Sequence, residues 1–268
     1  MIDRRISLDE AVALVADGDT LGLGGLTIYR RPIAFTRALI SRPDPPRDLT
    51  LLAYTAGLAS DMLVGAELVS RVRTCYFGLE IFGLAPMFGL AVDQGRLRIV
   101  EESEASLANG LRASVAGVGF MPSRAWLGTE MFGLRPDVAS VQDPYTGQQL
   151  TAFPAISCDV AVIHVLRADP SGNSVLGGNP TVDNPLAAVA KTTIITAEEI
   201  VEDFVGEINI NAHDVTAVVH CPRGAWPTSC YPLYPVDGEE ILRYISACND
   251  GAFDDYLDSS WTTPQTRS

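Results

Sequence analysis

The chain contains 268 residues, of which 47% are hydrophobic and 19% charged, and its formal net charge at pH 7 is −14. This length suits one large α/β domain or two small domains, and either can bury a substantial core. Because the charge is negative and no run of lysine or arginine occurs, nucleic acids and anionic membranes are poor partners. A small anionic ligand is not excluded, since a few local arginines or backbone amides can bind one.

The five cysteines stand alone at positions 75, 158, 221, 230 and 248, and none forms a Cys-x-x-Cys pair. An odd, scattered set without a signal peptide is typical of reduced thiols rather than of disulfides or a zinc site. No apolar stretch reaches the roughly 18 residues that a membrane span requires. These features predict a cytoplasmic protein, and no pattern of metal ligands is found.

Strands and helices alternate through the first half of the chain. Ser7 and Glu10 have the spacing of a capping box at the start of a first helix. A short apolar strand follows at residues 20–23, and Pro32 suits the first turn of the next helix. Further strands are predicted at 49–54, 72–77 and 96–101, and further helices at 60–66 and 106–116.

The second half of the chain continues the alternation after one irregular segment. Residues 121–145 lack clear periodicity, which predicts a lid or a partner-facing excursion. The last residues, 260–268, are predicted to be frayed. The remaining strands are predicted at 159–166, 192–196 and 215–220, and the remaining helices at 185–190 and 237–246. The pattern predicts one α/β domain over residues 1–268, with an open, mostly parallel, twisted sheet flanked by helices.

The glycine loop between the first strand and the second helix is the main candidate site. A strand that runs through paired glycines into a helix exposes backbone amides beside a helix N-terminus, which favours negative charge. Gly24, Gly25 and Thr27 are therefore predicted to form a cradle for a carboxylate, a phosphate or a thioester oxygen. Their spacing fits neither the dinucleotide fingerprint nor the phosphate P-loop, and an ordinary tight turn is the alternative.

Two arginines, Arg30 and Arg31, follow this loop directly. A guanidinium group can hold a carboxylate or phosphate with two parallel hydrogen bonds, which lysine cannot do. Arg31 is the predicted ligand-binding member of the pair. Pairing of either arginine with an acidic side chain is the other interpretation.

Acidic residues supply the candidates for acid–base chemistry. Glu80 lies between two apolar residues in a glycine-rich loop at 78–86, a setting that suits proton transfer, but a capping or ion-paired carboxylate is equally compatible. Glu101, Glu102 and Glu104 cluster at a strand end, where an acidic helix start is the commoner explanation.

Two other reactive residue types receive structural interpretations. His164 in an apolar strand is expected to be a core histidine, and Cys230 has no activating neighbour in the sequence. Neither a Gly-x-Ser-x-Gly nor a His-Glu-x-x-His motif occurs, so no nucleophile is predicted in this chain.

In chain order, these stretches resemble the A (alpha) subunit of family I coenzyme A transferases, most closely the glutaconate CoA-transferase type. The resemblance includes the glycine loop GGLTIYRRPIAF and a Gly-x-Glu-x-Phe-Gly-Leu-x-Pro run in the second block. It also includes a Glu-x-Ser helix block and a Pro-Thr-Ser-Cys block near the C-terminus. The matching segments span nearly the whole chain, at residues 24–35, 48–86, 100–122, 159–173, 187–201 and 223–241.

The resemblance implies a subunit that pairs with a separate B subunit, in an A2B2 heterotetramer that acts on acyl-CoA and carboxylic acid substrates. In that family a glutamate of the B subunit forms a glutamyl-CoA thioester, often in a Glu-Asn-Gly context that this chain lacks. Coenzyme A thioester is then a substrate, with no permanently bound cofactor. By resemblance, the catalytic candidates are Glu80 and Glu104, and the substrate-binding candidates are Gly24, Gly25, Leu26, Thr27, Arg31 and Phe82.

Other activities stay open on the same fold. One branch opens a ring of a steroid-derived acyl-CoA by hydrolysis and relies on a glutamate near Glu104, whereas another decarboxylates a methylglutaconyl-CoA. The Pro-Thr-Ser-Cys block at residues 227–230 is more similar to the transferase and decarboxylase branches. A non-catalytic subunit that binds a small anionic metabolite is the alternative from a different class.

Overall fold

The computed structural model describes residues 2–202, 204 and 207–259, so the predicted frayed tail at 260–268 lies outside the described residues. Strands and helices alternate along most of the chain. The strands are β1 Thr20–Leu23, β2 Leu49–Ala53, β3 Val69–Thr74, β4 Arg98–Glu101, β5 Phe120–Ser123, β6 Ala139–Gln142, β7 Gln149–Pro154, β8 Cys158–Ala168, β9 Ser174–Val175, β10 Ala190–Ile200 and β11 Ala217–His220. The helices are α1 Leu8–Val12, α2 Ile33–Ile40, α3 Leu58–Gly65, α4 Pro86–Asp93, α5 Glu104–Val115, α6 Met131–Leu134, α7 Asp183–Val189, α8 Gly238–Asn249 and α9 Phe253–Asp258, with 3₁₀ turns at Glu80–Phe82 and Ala212–Asp214.

The main sheet has the strand order β11–β10–β8–β1–β2–β3–β4, and all neighbours in this series are parallel. The short β9 adds to β8 in the antiparallel direction. Because crossover helices cover both faces of a parallel sheet, its central strands read as continuous apolar runs. The predicted open, mostly parallel α/β sheet is confirmed.

The strand order reverses at β1, and this reversal positions the site. From β1 the chain proceeds through β2, β3 and β4 towards one edge of the sheet, whereas β8, β10 and β11 lie on the other side. The carboxyl end of β1 is therefore a topological switch point, where open α/β sheets leave a crevice for ligands.

Three apolar clusters of described residues include strands of the main sheet, and two of them join the sheet to more than one helix. The larger one joins strand residues such as Leu21 and Val162 to Phe35 of α2 and Tyr244 of α8. The second joins strand residues to α5 and α7, with Leu107, Leu111 and Leu186 among its members. These helices pack against the sheet. The loops at the carboxyl edge of the sheet are left to form the site.

A small antiparallel sheet, β5–β7–β6, occupies residues 120–154. Trp126 is buried beside it, with its ring edge-on to Phe153 at a centroid distance of 4.9 Å. The segment 121–145, which the sequence predicts to be irregular, thus contains most of β5, all of α6 and all of β6, with irregular chain between them. Strands of four residues with mostly exposed side chains give little periodic signal, and the central strand β7 lies outside that segment. The role of this region as a lid or a partner-facing surface stays a prediction.

Helix α4 was missed because its start depends on a distant carboxylate. Asp61 on α3 is fully buried and accepts hydrogen bonds from the backbone amides of Met87 and Phe88 in the first turn of α4. The hydroxyl of Tyr244 on α8 donates to the same carboxylate at 2.7 Å.

Within the described part of the chain, no helix combines the length and apolarity needed to cross a bilayer.

Candidate active site

The glycine loop leaves the end of β1 and turns back on itself within four residues. The amide of Leu26 donates to the carbonyl of Tyr29 at 2.9 Å, and the amide of Tyr29 donates back to the carbonyl of Leu26 at 2.6 Å. Thr27 and Arg30 have φ values of 41° and 49°. Non-glycine residues rarely occupy this left-handed region, and such conformations concentrate at functional loops.

The backbone amides of the glycine loop already have acceptors inside the chain. The amide of Gly24 donates to the carbonyl of Val162 at 2.9 Å, and that of Gly25 donates to Asp183 Oδ1 at 2.9 Å. The amide of Thr27 donates to the hydroxyl of Thr55 at 3.2 Å. The Leu26 amide is bonded across the turn, and the amides of Gly24, Gly25 and Thr27, predicted to form a free cradle, instead fix the loop. Ligand binding by these residues stays a prediction.

Arg30 connects the glycine loop to the crossover on the other side of the switch point. Its Nη2 lies 2.8 Å from Asp183 Oδ2, and the two side chains are only 3% and 1% exposed. The same guanidinium donates to the carbonyls of His164, Gly178 and Asn179. A buried pair with its remaining donors satisfied is costly to break, so these contacts hold the crevice walls in place.

Arg31 lies beneath the loop. Its side chain is fully buried and donates to the carbonyls of Leu23, Gly24 and Thr27 at 2.8–3.3 Å. Burial lowers the pKa of Arg31 to about 10. This geometry lets Arg31 position the loop, and its predicted direct contact with a substrate stays a prediction.

Thr27 brings the glycine loop and the second predicted loop together. Its hydroxyl donates a short hydrogen bond to Oε1 of Glu80, which is exposed and has a φ of 55°. Leu26 is half-buried beside Thr27, and Phe82 packs its ring near Gly238 at the start of α8. Two segments separated by about fifty residues thus meet at the carboxyl edge of the sheet, as the sequence pattern predicts.

The Glu80 loop also exposes large apolar side chains. Ile81 is 88% exposed and Leu84 is 86% exposed. Both lie in or next to the 3₁₀ turn that carries Glu80. Apolar groups grouped next to polar site residues are typical of a surface that another molecule covers.

Glu104 occupies a separate position on the same edge. It is the exposed first residue of α5, whose N-cap is Ser103. Burial, reinforced by the nearby Glu104 charge, raises the pKa of the Cys75 thiol to about 11, and the same two causes raise the pKa of Tyr54. No hydrogen bond or ion pair among the described residues connects Glu104 to Glu80, so the structure does not bring these two candidates into direct contact.

Glu102 is a structural carboxylate, but it precedes the N-cap of α5 and is held by ion pairs instead of serving as an acidic helix start. It is buried and accepts hydrogen bonds from Arg73 and Arg135, each at 2.7 Å. Ser106 donates a further short hydrogen bond to it. Glu102 therefore connects β3, α5 and the segment between α6 and β6.

His164 is the buried core histidine that the sequence predicts. Its Nε2 donates to Glu198 Oε1 at 2.8 Å, and its Nδ1 lies 2.9 Å from the hydroxyl of Thr196. Tyr234 donates to the same Glu198 oxygen. Burial opposes ionisation of Glu198, but the bonds from these neighbours outweigh it, and its pKa is lowered.

Cys230 lies near this network. Its thiol, a ring nitrogen of His164 and a carboxylate oxygen of Glu198 lie within 4.8 Å of one another, a grouping that can in principle hold a metal ion. Both ring nitrogens of His164 are engaged by protein partners, which favours a structural network. Burial raises the pKa of Cys230 to about 12, as expected for an unreactive thiol.

Asp183 and Thr55 are the site residues that sequence reasoning missed. Both bind backbone amides of the glycine loop, across 158 and 28 positions of the chain. A single aspartate at a helix start carries no local signal for such a contact. The strand order alone could have indicated it, because α7 follows β8, which pairs with β1.

The fold is an open parallel sheet with a glycine loop at its switch point, and an exposed carboxylate, that of Glu80, is hydrogen-bonded to this loop. These features define a class of α/β enzyme subunit. A family model described as Coenzyme A transferase matches residues 5–219. The chain belongs to the coenzyme A transferase family, and it is a transferase-type enzyme subunit.

Several relatives match over most of their length, and two illustrate the range of their named activities. The A subunit of 3-oxoadipate CoA-transferase from Pseudomonas knackmussii is 33% identical over 263 residues, which cover 96% of this chain and 91% of the relative. The cholesterol ring-cleaving hydrolase IpdA subunit of Rhodococcus jostii is 32% identical and covers 91% of this chain and 86% of the relative. The chain is thus similar to subunits with different named activities.

The solved structures that are similar to this chain also have different named activities. A variant of the decarboxylase AibA/AibB has a TM-score of 0.87 at 32% identity, covering 96% of this chain and 98% of that chain. Glutaconate coenzyme A-transferase from Acidaminococcus fermentans has a TM-score of 0.84 at 27% identity, covering 97% and 93%. The predicted resemblance to the A subunit of glutaconate CoA-transferase is confirmed.

Proposed function

We propose that this chain is the A subunit of a heteromeric acyl-CoA:carboxylate CoA-transferase that acts on a short or dicarboxylic acyl-CoA. The observation that carries the proposal is the correspondence with the A subunit of a 3-oxoadipate CoA-transferase, 91% of which is covered. The partner is a B subunit, and the complete enzyme is an A2B2 heterotetramer. Coenzyme A thioester is a substrate in this reaction and not a resident cofactor.

The covalent steps take place on the partner. There a glutamate attacks the thioester carbonyl and releases the coenzyme A thiolate, which leaves a mixed anhydride. The thiolate then attacks the glutamyl carbonyl, which gives an enzyme thioester and releases the donor carboxylate. The acceptor carboxylate attacks this thioester to form a second anhydride and release the thiolate, which attacks the acyl carbonyl to give the new acyl-CoA and the free glutamate. The absence of a Glu-Asn-Gly sequence in this chain supports that division of labour. Each addition places negative charge on a carbonyl oxygen, which preorganised donors stabilise.

The glycine loop acts as the rigid wall of the shared site. Since the amides of residues 24–27 are bonded within the chain, the donors for the carbonyl oxygen come from other groups of the assembly. Gly24, Gly25 and Leu26 set the shape of this wall, and Thr27 orients the Glu80 carboxylate towards the substrate. Phe82 and the apolar side chains around Glu80 exclude water where the partner closes the site.

The test is co-expression of this chain with a B subunit, followed by an assay with an acyl-CoA donor and a carboxylate acceptor. Formation of a new acyl-CoA from the acceptor, with both chains required, supports the proposal. A stable lone chain that binds a small anionic metabolite without turnover would instead support a non-catalytic binding subunit.

A second candidate is an acyl-CoA decarboxylase or ring-opening hydrolase on the same fold. It is favoured by the similarity to a decarboxylase at a TM-score of 0.87 and by the exposed Glu104 near Tyr54 and Cys75. Release of carbon dioxide or of a ring-opened acid, without transfer to an acceptor, identifies this branch. Glu104→Gln then abolishes turnover in a hydrolase that uses Glu104 but changes a transferase little.

A further inference from the structure

A cavity of about 410 Å³ opens at the switch point of the sheet. Its walls come from both sides of the strand reversal. Tyr29 belongs to the loop after β1, and Gly178 belongs to the loop after β9. Tyr231 and Val236 belong to the segment that leads into α8. The volume lies within the range of small-molecule sites, and the position is where open α/β sheets bind ligands.

The walls of this cavity are joined by hydrogen bonds and are therefore preformed. The amide of Arg30 donates to the carbonyl of Ser229 at 2.7 Å, and the amide of Ser229 donates to the carbonyl of Ile28 at 2.9 Å. The Arg30 guanidinium donates to Gly178 at 3.3 Å and to Asn179 at 2.6 Å. One arginine thus connects all three wall segments, and a ligand need not order them on binding.

The described residues around the cavity present no free charge. Arg30 is the one charged residue among those that line it, and its guanidinium is buried against Asp183 at 2.8 Å. Tyr29, Pro235 and Val236 give the lining a largely apolar surface, and Tyr231 stands at the rim with 73% of its surface exposed. A carboxylate or phosphate would lose its hydration here without gaining a counter-charge, whereas a neutral apolar group would be stabilised.

We propose that this cavity binds an uncharged acyl group and so sets the preference of the enzyme for acyl size, which selects the short acyl-CoA of the proposed function over the dicarboxylic one. The inference rests on the proposed function, since an acyl thioester is a ligand only if that function holds. Thr27, which holds Glu80, lies two residues from Tyr29 in the same turn. The cavity and the Glu80 carboxylate are therefore in contact with the same turn of the glycine loop.

The test fills the cavity by Gly178→Leu. An added Cβ at Gly178 meets no described atom within 4 Å, and the backbone there is not left-handed, so the new side chain causes no strain. Gly119→Leu is the matched control, because an added Cβ at Gly119 has the same freedom and Gly119 does not line the cavity. The complex of this chain with its B subunit is titrated by calorimetry with acetyl-, butyryl-, hexanoyl- and octanoyl-CoA.

In the wild-type complex, the dissociation constant should fall severalfold with each added pair of methylene groups, because each buries more apolar surface. Gly178→Leu should remove this dependence, so that acetyl- and octanoyl-CoA bind within about twofold of each other, while Gly119→Leu should behave as wild type. Tyr231→Ala, at an exposed position, should weaken octanoyl-CoA by about tenfold and acetyl-CoA by less than about twofold.

Two results would overturn the inference: wild-type affinity that is independent of chain length, or a uniform loss of affinity for all four thioesters in Gly178→Leu. Failure of the assembled complex to bind any acyl-CoA is a different result, because it contradicts the proposed function itself.

Discussion

At Gly25 the backbone has a φ of 79°, and an added Cβ would lie 2.5 Å from the carbonyl oxygens of both Tyr29 and Arg30. The sequence suggests that a side chain here would fill an oxyanion position. The structure supplies a different reason for glycine, because the turn of the loop leaves no space for a Cβ. Glycine is therefore required at position 25 by the fold of the loop itself, independently of any ligand.

We therefore expect Gly25→Ala to destabilise the loop more than a left-handed φ alone would. Gly117→Ala is the matched control, since Gly117 has a φ of 67° and an added Cβ there meets no described atom within 4 Å. The control should lose about 1 kcal/mol in the free energy of unfolding, and Gly25→Ala about 2–4 kcal/mol. Turnover of the assembled enzyme should fall at least about tenfold only in Gly25→Ala. Equal losses in the two variants would show that the close approach has no effect.

The sequence predicts a residue's place in the site well where the pattern around it is local, and poorly where its partners are distant in the chain. The glycine loop and the Glu80 loop carry local patterns, and the structure joins them through Thr27. The acceptors of the loop amides, Asp183 and Thr55, are distant in the chain, so the amides were expected to be free. The burial of Arg31 likewise follows from tertiary packing and not from its neighbours in sequence.

At the scale of elements, Glu102 fastens the small antiparallel sheet to the main one. Arg73 reaches it from β3, and Arg135 reaches it from the segment before β6. Arg135 also pairs with Asp137, which is 60% exposed. The buried pair should matter far more than the exposed one, because removing one partner of a buried pair leaves an uncompensated charge.

Glu102→Ala should accordingly lower the free energy of unfolding by about 3–5 kcal/mol, while Asp137→Ala should lower it by less than about 1 kcal/mol. Hydrogen exchange should accelerate in residues 120–154 of Glu102→Ala and stay near the wild-type rate in Asp137→Ala. Unchanged exchange in that segment of Glu102→Ala would contradict its role in fastening the two sheets.

Asp61 joins three helices, and its burial gives the fold a specific response to pH. Burial raises the pKa of Asp61 from 3.8 to about 6, against the opposing hydrogen bonds from Tyr244, Phe88 and Met87. The folded state therefore binds more protons than the unfolded state between these two values. The stabilisation from this group is complete below about pH 4 and is lost as pH rises through about 6.

The matching measurement compares wild type with Asp61→Asn, which does not titrate. The free energy of unfolding of wild type minus that of the variant should decrease by up to about 3 kcal/mol between about pH 4 and pH 7, at about 1.36 kcal/mol per pKa unit. A difference that grows with pH would show that the carboxylate is stabilised as an anion instead.

At the scale of the whole molecule, the fold class was predictable because buried parallel strands are strongly apolar and alternate with helices. The strand β8, for example, reads as an apolar run at 159–166 and extends over Cys158–Ala168 in the structure. The small sheet was not predictable, since its strands are short and its packing depends on Trp126 and on Arg135 bound to Glu102. The switch point could be found only from the strand order.

The strand reversal at β1 organises the proposed chemistry. The glycine loop, the Glu80 loop and the 410 Å³ cavity all meet there, and exposed apolar residues surround Glu80. This arrangement supplies the glycine loop as a wall, the carboxylate of Glu80 and an apolar cavity. The proposed function assigns the covalent step to another chain. The central claim is that the site is completed by a B subunit.

The most direct test is covalent trapping in the assembled enzyme. The complex is incubated with acyl-CoA, treated with borohydride or hydroxylamine, digested and mapped by mass spectrometry, with each chain alone as a control. The account predicts modification of one glutamate on the B subunit, only when both chains are present, and no modification of this chain. Modification of Glu80 or Glu104, or turnover by this chain alone, would contradict it.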